Sequence, residues 1–273
     1  MTSNVPFALL LALLAGLSTG IGSIIAFFIR QPKPKYMSLI LGFSGGVMVY
    51  VSFAELLHVA LDNVGFLHAN LGFFGGIAFI MLVDVFIPHE YKFEQTGHPQ
   101  LPVTRRRKHG QGEPSPYRHG VEQRLMRTGT LMAIGIAIHN FPEGLVTFSS
   151  GLAVDHSFGI LVAVAIAIHN IPEGISVSIP IAQATGSRKR AFIYSFCAGL
   201  AEPVGALIGY AILFNFLTPT LIYTLMAFAA GIMVYISLDE ILPTAHMFGE
   251  EHLVIIGATA GMIIMALSIL LIL

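Results

Sequence analysis

Eight apolar stretches of roughly 20 residues or more occupy this 273-residue chain, at 5–29, 37–61, 66–88, 127–152, 157–182, 189–214, 217–243 and 252–273. Each is long enough for a helix to cross the ~30 Å hydrocarbon core of a bilayer, where backbone polar groups must be bonded within the segment itself. With 55% hydrophobic and only 11% charged residues, the chain lacks the polar surface that a water-soluble domain of this size needs. The fold class this predicts is an all-α integral membrane protein of eight transmembrane helices, with residues 1–273 forming a single transmembrane domain. Residues 1–29 hold no Lys or Arg ahead of Arg30 and read as a retained first span, not a cleaved signal.

The 14 basic residues fall in three places. Arg30, Lys33 and Lys35 follow the first span. Lys92, Arg105, Arg106, Arg107, Lys108, Arg118, Arg124 and Arg127 lie around the connection at 89–126, and Arg188, Lys189 and Arg190 follow the fifth span. Alternate connections therefore carry every positive charge, so these connections are expected on the cytoplasmic side of a multi-pass protein of the bacterial cytoplasmic (inner) membrane, with both termini outside. The 89–126 segment mixes Gly, Pro and charge with His89, His98, His109 and His119, and reads as a flexible cytoplasmic loop. A single cysteine, Cys197, excludes an intrachain disulfide or a thiolate cluster and is expected to pack as a small buried apolar side chain.

Two repeats are legible. His139-Asn140-Phe141-Pro142-Glu143-Gly144 and His169-Asn170-Ile171-Pro172-Glu173-Gly174 stand 30 residues apart, with their midpoint near His156. A turn there between antiparallel helices sets both hexapeptides about 18 Å from it at 1.5 Å per residue, near the bilayer midplane. Gly45–Ala60 also aligns without gaps with Ala230–Ala245, matching Gly46 with Gly231, Tyr50 with Tyr235, Ser52 with Ser237 and Glu55 with Glu240. The second and seventh spans must run in opposite directions, so this is an inverted repeat. A 3+2+3 arrangement follows, with the fourth and fifth spans at the pseudo-symmetry axis, as in many secondary transporters.

Within each hexapeptide, His at i and Glu at i+4 share a helix face, and Asn at i+1 sits about 100° around from His and three residues before Glu. Ionisable groups at such depth serve a pathway or bind something, and imidazole with carboxylate is a ligand set for borderline divalent metals. Pro142 and Pro172 cannot donate to the Ile138 and Ile168 carbonyls, which makes kinks and free oxygen donors available. Glu202, midway along the sixth span and followed by Pro203, joins them as a third glutamate at comparable depth. Glu55 and Glu240 are candidates for entrance and exit positions, with Asp62, Asp239 and His246 as possible helpers near the interfaces. Glycine clusters such as Gly42, Gly45 and Gly46, or Gly72, Gly75 and Gly76, allow close helix approach.

The paired HNxPEG segments, the Ala201-Glu202-Pro203 element and the eight-span pattern with its long basic loop resemble the ZIP (Zrt/Irt-like) family of metal transporters, most of all its bacterial members. The resemblance implies import of divalent metal into the cytoplasm through a paired metal site between the fourth, fifth and sixth spans. Its ligands would be His139, Asn140, Glu143, His169, Asn170, Glu173 and Glu202. It further implies zinc as the prominent cargo, alongside iron, manganese, cobalt and cadmium, with elevator-like movement of the site-bearing helices and a homodimer in the lipid bilayer. No cofactor and no nucleic-acid partner are expected.

No nucleotide-binding GxxxxGK[ST] occurs, so transport is passive or ion-coupled. Neutral Asn and His among the glutamates, without thiolate, suit release as well as capture. Binding displaces protons, so uptake is expected to weaken as pH falls. Two rival readings remain at this stage. An intramembrane metal-dependent hydrolase would call for a motif such as HExxH, which is absent, and a metal-selective channel would show conductance events instead of saturable flux.

Overall fold

Helix-forming sequence here is bounded by proline and hydroxyl caps. Pro34 opens a helix directly after Lys33, Pro219 opens another behind Thr218, whose side chain accepts from the Leu221 amide, and Ser187 caps a third by accepting from the Arg190 amide. The computed structural model describes residues 4–28, 33–86, 116–152, 156–213 and 218–272. Among the described residues ten α-helices run in order: α1 (Val5–Phe28), α2 (Pro34–Val51), α3 (His58–Phe86), α4 (Pro116–Gly151), α5 (His156–Thr185), α6 (Arg188–Gly199), α7 (Ala201–Ile208), α8 (Pro219–Ile236), α9 (Leu242–His246) and α10 (Glu251–Ile272). π-helical turns at Ser52–Leu57, Gly209–Leu213 and Ser237–Ile241 continue α2, α7 and α8. The described residues contain no strand.

Seven helical segments among the described residues are long and apolar enough to cross a membrane. The expected number was eight; the difference arises because 37–61 and 66–88 join into one 51-residue segment, Lys35–Val85, which contains Gly65 in a non-helical conformation (φ 75°, ψ 171°). The apolar part of the fourth helix, Leu125–Gly151, matches the expected span at 127–152, and the helix extends back to Pro116 through polar turns (PYRHGVEQ) that hydropathy does not register. One further expectation is corrected. Cys197 is exposed on the surface of the single chain, on the face of α6 opposite Ser195 and Ala198, and is not buried. Of the loop histidines, His89, His98 and His109 lie outside the described residues.

The polarity of the molecule is inverted relative to a soluble protein. Phe28, Phe66, Leu67, Leu71, Val85 and Leu270 are exposed, while two histidines, two asparagines and three glutamates are buried at the centre. Such an arrangement is stable only with lipid around it.

α1, α4, α5, α6 and α7 pack on one another, α2 lies along α10, and α3 lies along α8. Glycines bring these last two pairs to backbone contact. Gly46 lies on the Ala258 carbonyl, Gly257 on that of Leu39 and Gly261 on that of Phe43. Between α8 and α3 the same pattern returns at positions shifted by 185 (231 − 46, 257 − 72, 261 − 76): Gly231 lies on Phe73, Gly72 on Thr224 and Gly76 on Phe228. Ser52 and Ser237, at the same shift, open their π-turns and donate to Met48 O (2.6 Å) and Met233 O (2.7 Å).

Candidate metal centre

The two hexapeptides occupy matching depths on α4 and α5. His139 precedes the end of α4 at Gly151 by 12 residues (151 − 139), and His169 follows the start of α5 at His156 by 13 (169 − 156), about 18–20 Å from the turn. Both helices run through their prolines, Pro142 and Pro172. Gly144 and Gly174 then let neighbours close in: Gly144 lies against the Glu202 carbonyl of α7, and Gly174 against the Thr19 carbonyl of α1.

The imidazoles and carboxylates meet crosswise. His139 Nε2 lies 3.0 Å from Glu173 Oε1, and His169 Nε2 lies 3.4 Å from Glu143 Oε1, so each histidine faces the glutamate of the other helix. The first contact has hydrogen-bond geometry; the second is close enough only for electrostatic attraction. All four are at most 2% exposed, where a lone charge would carry a large desolvation cost. Several atoms nonetheless lack a hydrogen-bond partner: Nδ1 of both histidines, both carboxylate oxygens of Glu143, Glu173 Oε2, and Oδ1 of Asn140 and Asn170. That concentration of unsatisfied nitrogen and oxygen donors is the chemistry of a cation site. Among the described residues no three His, Cys, Asp or Glu side chains already converge on one point, so the groups rest in pairs here.

The asparagines orient the neighbouring helices. Asn140 Nδ2 donates to Ala198 O of α6 (3.2 Å), and Asn170 Nδ2 donates to Ala15 O of α1 (3.1 Å) and to Glu202 Oε2 (2.9 Å). Glu202 is fully buried in the first turn of α7, immediately after the break at Leu200, and its Oε1 lies 3.2 Å from Thr147 Oγ1. All seven residues singled out from the sequence are thus buried together on α4, α5 and α7.

Glu55 sits in the π-turn between α2 and α3, its Oε2 buried without a hydrogen-bond partner, and its electrostatic neighbours are His169 and Glu143. Glu240 lies elsewhere. Its Oε1 is 3.2 Å from Arg127 Nη1 and its Oε2 accepts from Thr128 Oγ1 at 2.8 Å, while Arg127 also pairs with Asp84 of α3. Thr128 precedes His139 by 11 residues on α4 (139 − 128), about 16 Å. Asp62 is exposed and 3.6 Å from His58.

Sequence reasoning missed several participants. Thr147 follows Glu143 by four residues and so shares its face, a signal that was available. Ser44 of α2 donates to Pro172 O at 3.0 Å, joining α2 to the fifth helix, and nothing in its sequence surroundings marks it. Thr19 is the third, and its signal is a repeat: Ala15–Gly22 (AGLSTGIG) aligns without gaps with Ala198–Gly205 (AGLAEPVG), setting Thr19 opposite Glu202.

Comparison with known proteins identifies the family. The family model described as ZIP zinc transporter matches residues 88–269. A protein named zinc transporter ZupT from Clostridium perfringens is 49% identical over 278 residues, covering 98% of this chain and 97% of its own. Proteins of the same name from Chlorobium chlorochromatii and Nitratidesulfovibrio vulgaris are each 47% identical, the former over 99% of both chains and the latter over 98% of both. A family match over most of the chain, relatives aligned end to end, and a buried histidine–glutamate centre between apolar helices lead to one conclusion: this chain belongs to the ZIP family of zinc transporters and is a multi-pass membrane transporter, not an enzyme.

Proposed function

We propose that the chain imports divalent transition metals across the bacterial cytoplasmic membrane, with zinc as principal cargo and iron, manganese, cobalt and cadmium as further candidates. The relatives' printed names support zinc. The observation that carries the reading is the crosswise pairing His139–Glu173 and His169–Glu143, buried among unsatisfied donors. His139, Asn140, Glu143, His169, Asn170, Glu173 and Glu202 form a site for two ions: on binding, each pair opens, the imidazoles lose protons, and the freed donors replace the water shell of the cargo. Glu55, with His169 and Glu143 as its electrostatic neighbours, serves the entrance, and Glu240 the exit.

The chain crosses the membrane eight times, with both termini outside. The 51-residue segment Lys35–Val85 would be about 75 Å long as one helix, more than twice the hydrocarbon thickness, and the conformation of Gly65 supports reading it as two spans. The glycine contacts recurring at a shift of 185 support the 3+2+3 inverted repeat. Alternating access comes from an elevator-like displacement of α1 and α4–α7 against α2, α3 and α8–α10, within a homodimer.

The test is uptake by reconstituted vesicles across Zn²⁺, Fe²⁺, Mn²⁺, Co²⁺ and Cd²⁺, with Glu143→Ala and Glu173→Ala beside the wild type. Saturable uptake lost in both variants is expected. Single-conductance events would favour a channel, and wild-type uptake in either variant would remove the site.

A further inference from the structure

The arrangement around α1 repeats the arrangement around α6 and α7. Asn170 donates to Ala15 O and Asn140 to Ala198 O. Gly22 lies on the Ile171 carbonyl and Gly205 on that of Phe141, while Gly174 lies on Thr19 O and Gly144 on Glu202 O. Gly16 and Gly199 lie on each other's carbonyls, with Glu202 packed against Gly16 and Thr19 against Gly199. Every correspondence has the same shift of 183 (198 − 15, 199 − 16, 202 − 19, 205 − 22) on one side and 30 (170 − 140, 174 − 144) on the other. Thr19 therefore stands in one half where Glu202 stands in the other.

Thr19 is fully buried and its Oγ1 has no hydrogen-bond partner. Several hydroxyls inside these helices bond back to the carbonyl four residues earlier, among them Ser52, Thr147, Ser149, Thr185 and Ser237. For Thr19 that carbonyl is Ala15 O, which already accepts from Ser18 Oγ (2.6 Å) and Asn170 Nδ2 (3.1 Å). Glu202 has Thr147 beside it; the counterpart of Thr147 at the shift of 30 is Val177, which offers nothing. By the same correspondence, in which Glu202 accepts from Asn170, Thr19 falls on the side of Asn140, whose Oδ1 is likewise unsatisfied.

We propose that Thr19 is a further member of the cargo site, supplying a neutral oxygen to the coordination shell on the Asn140 side as Glu202 supplies an anionic one on the Asn170 side. This deepens the two-ion reading above and rests on it. The site is then symmetric in position and asymmetric in charge: the ion beside Glu202 is held firmly, and the one beside Thr19 loosely enough to leave.

Zn²⁺ binding to the purified full chain by equilibrium dialysis, with Zn²⁺ uptake in vesicles, tests this on Thr19→Val, Thr19→Ser and Thr19→Glu. Removing the hydroxyl with Val should weaken the looser Zn²⁺ and raise the uptake KM by about 10-fold, and Ser should restore both. Glu, which Gly199 accommodates as Gly16 accommodates Glu202, should tighten binding and lower the maximal rate. Val binding and transporting like wild type while eluting as folded protein overturns the proposal. If Val does not fold, Glu decides: unchanged affinity and rate overturn it equally. Should the wild type itself bind no Zn²⁺, or Glu143→Ala bind as wild type does, the two-ion reading fails instead.

Discussion

On the proposed reading, single side chains decide how the centre holds a dication and then lets it go. Each histidine is paired with the glutamate of the other helix, so loss of one group from either pair leaves its buried partner without its nearest counter-charge. Glu143→Gln and Glu173→Gln are expected to lower the initial rate of Zn²⁺ uptake by at least about 10-fold each, and equal rates in wild type and either variant would exclude the pairing from transport. Thr147→Val takes one partner from Glu202 and should weaken Zn²⁺ binding by about 10-fold, with Thr147→Ser close to wild type. If the proposed centre holds the cargo, protons compete with it for imidazoles and carboxylates, so uptake should fall steadily from about pH 8 to about pH 5; a flat profile would show that protonation of these groups does not limit the rate. Six of the seven buried residues were legible because a motif repeated at 30 residues in apolar sequence has few explanations, and Glu202 because it is a third glutamate at comparable depth. The crosswise pairing was not, since i to i+4 spacing places His and Glu of one motif side by side and is silent about which helix each prefers. Thr19 escaped notice because a threonine in an apolar span carries no charge, and only its alignment with Glu202 marks it.

At the level of helices, the chain relies on glycine where two backbones touch. A β-carbon on Gly144 would overlap the Glu202 carbonyl, and one on Gly174 the Thr19 carbonyl; main-chain atoms of a neighbouring helix cannot rotate aside. Gly144→Ala and Gly174→Ala should each destabilise the protein by about 1–3 kcal/mol through overpacking, read as a lower thermal transition in detergent. Gly75→Ala is the control, because the nearest atom its β-carbon would meet is a side-chain carbon of Phe228 at 3.9 Å. Equal transitions in all three variants would show that these crossings yield easily. Hydropathy recovered the apolar elements because their length is imposed by the bilayer, but it could not see where helices begin in polar sequence, as with Pro116, or pass into a π-turn without a break, as at Ser52 and Ser237. The exposure of Cys197 has a similar cause: in a chain whose outer surface meets lipid, apolar character no longer distinguishes inside from outside.

For the whole molecule, the proposed displacement requires that the contacts joining the two groups of helices break and re-form. The most polar of these among the described residues lies 11 residues into α4 (127 − 116), where Arg127 pairs with Asp84 and Glu240, and Thr128 lies 2.8 Å from Glu240 Oε2 and 3.1 Å from Thr244 Oγ1. This network ties the helix bearing the first hexapeptide to α3 and to the α8–α9 segment. Arg127→Met alone takes a cation from two largely buried carboxylates and should destabilise the protein by about 3–5 kcal/mol, largely recovered when Asp84→Asn and Glu240→Gln are added. Thermal transitions of the single and triple variants in detergent measure both effects. The proximity of Thr128 and Thr244 also permits a covalent test of movement. In a Cys197→Ser background, Thr128→Cys with Thr244→Cys should form a disulfide under oxidation, because the two side chains already approach to 3.1 Å across the boundary between the groups. A carrier locked in this way keeps its centre intact but cannot carry it to the other face, so the oxidised protein should bind Zn²⁺ as wild type does while uptake drops by at least about 10-fold, and reductant should restore it. Oxidised protein that transports at the wild-type rate would show that α4 does not slide past α9, and the metal would then have to reach the cytoplasm through helices that stay where they are.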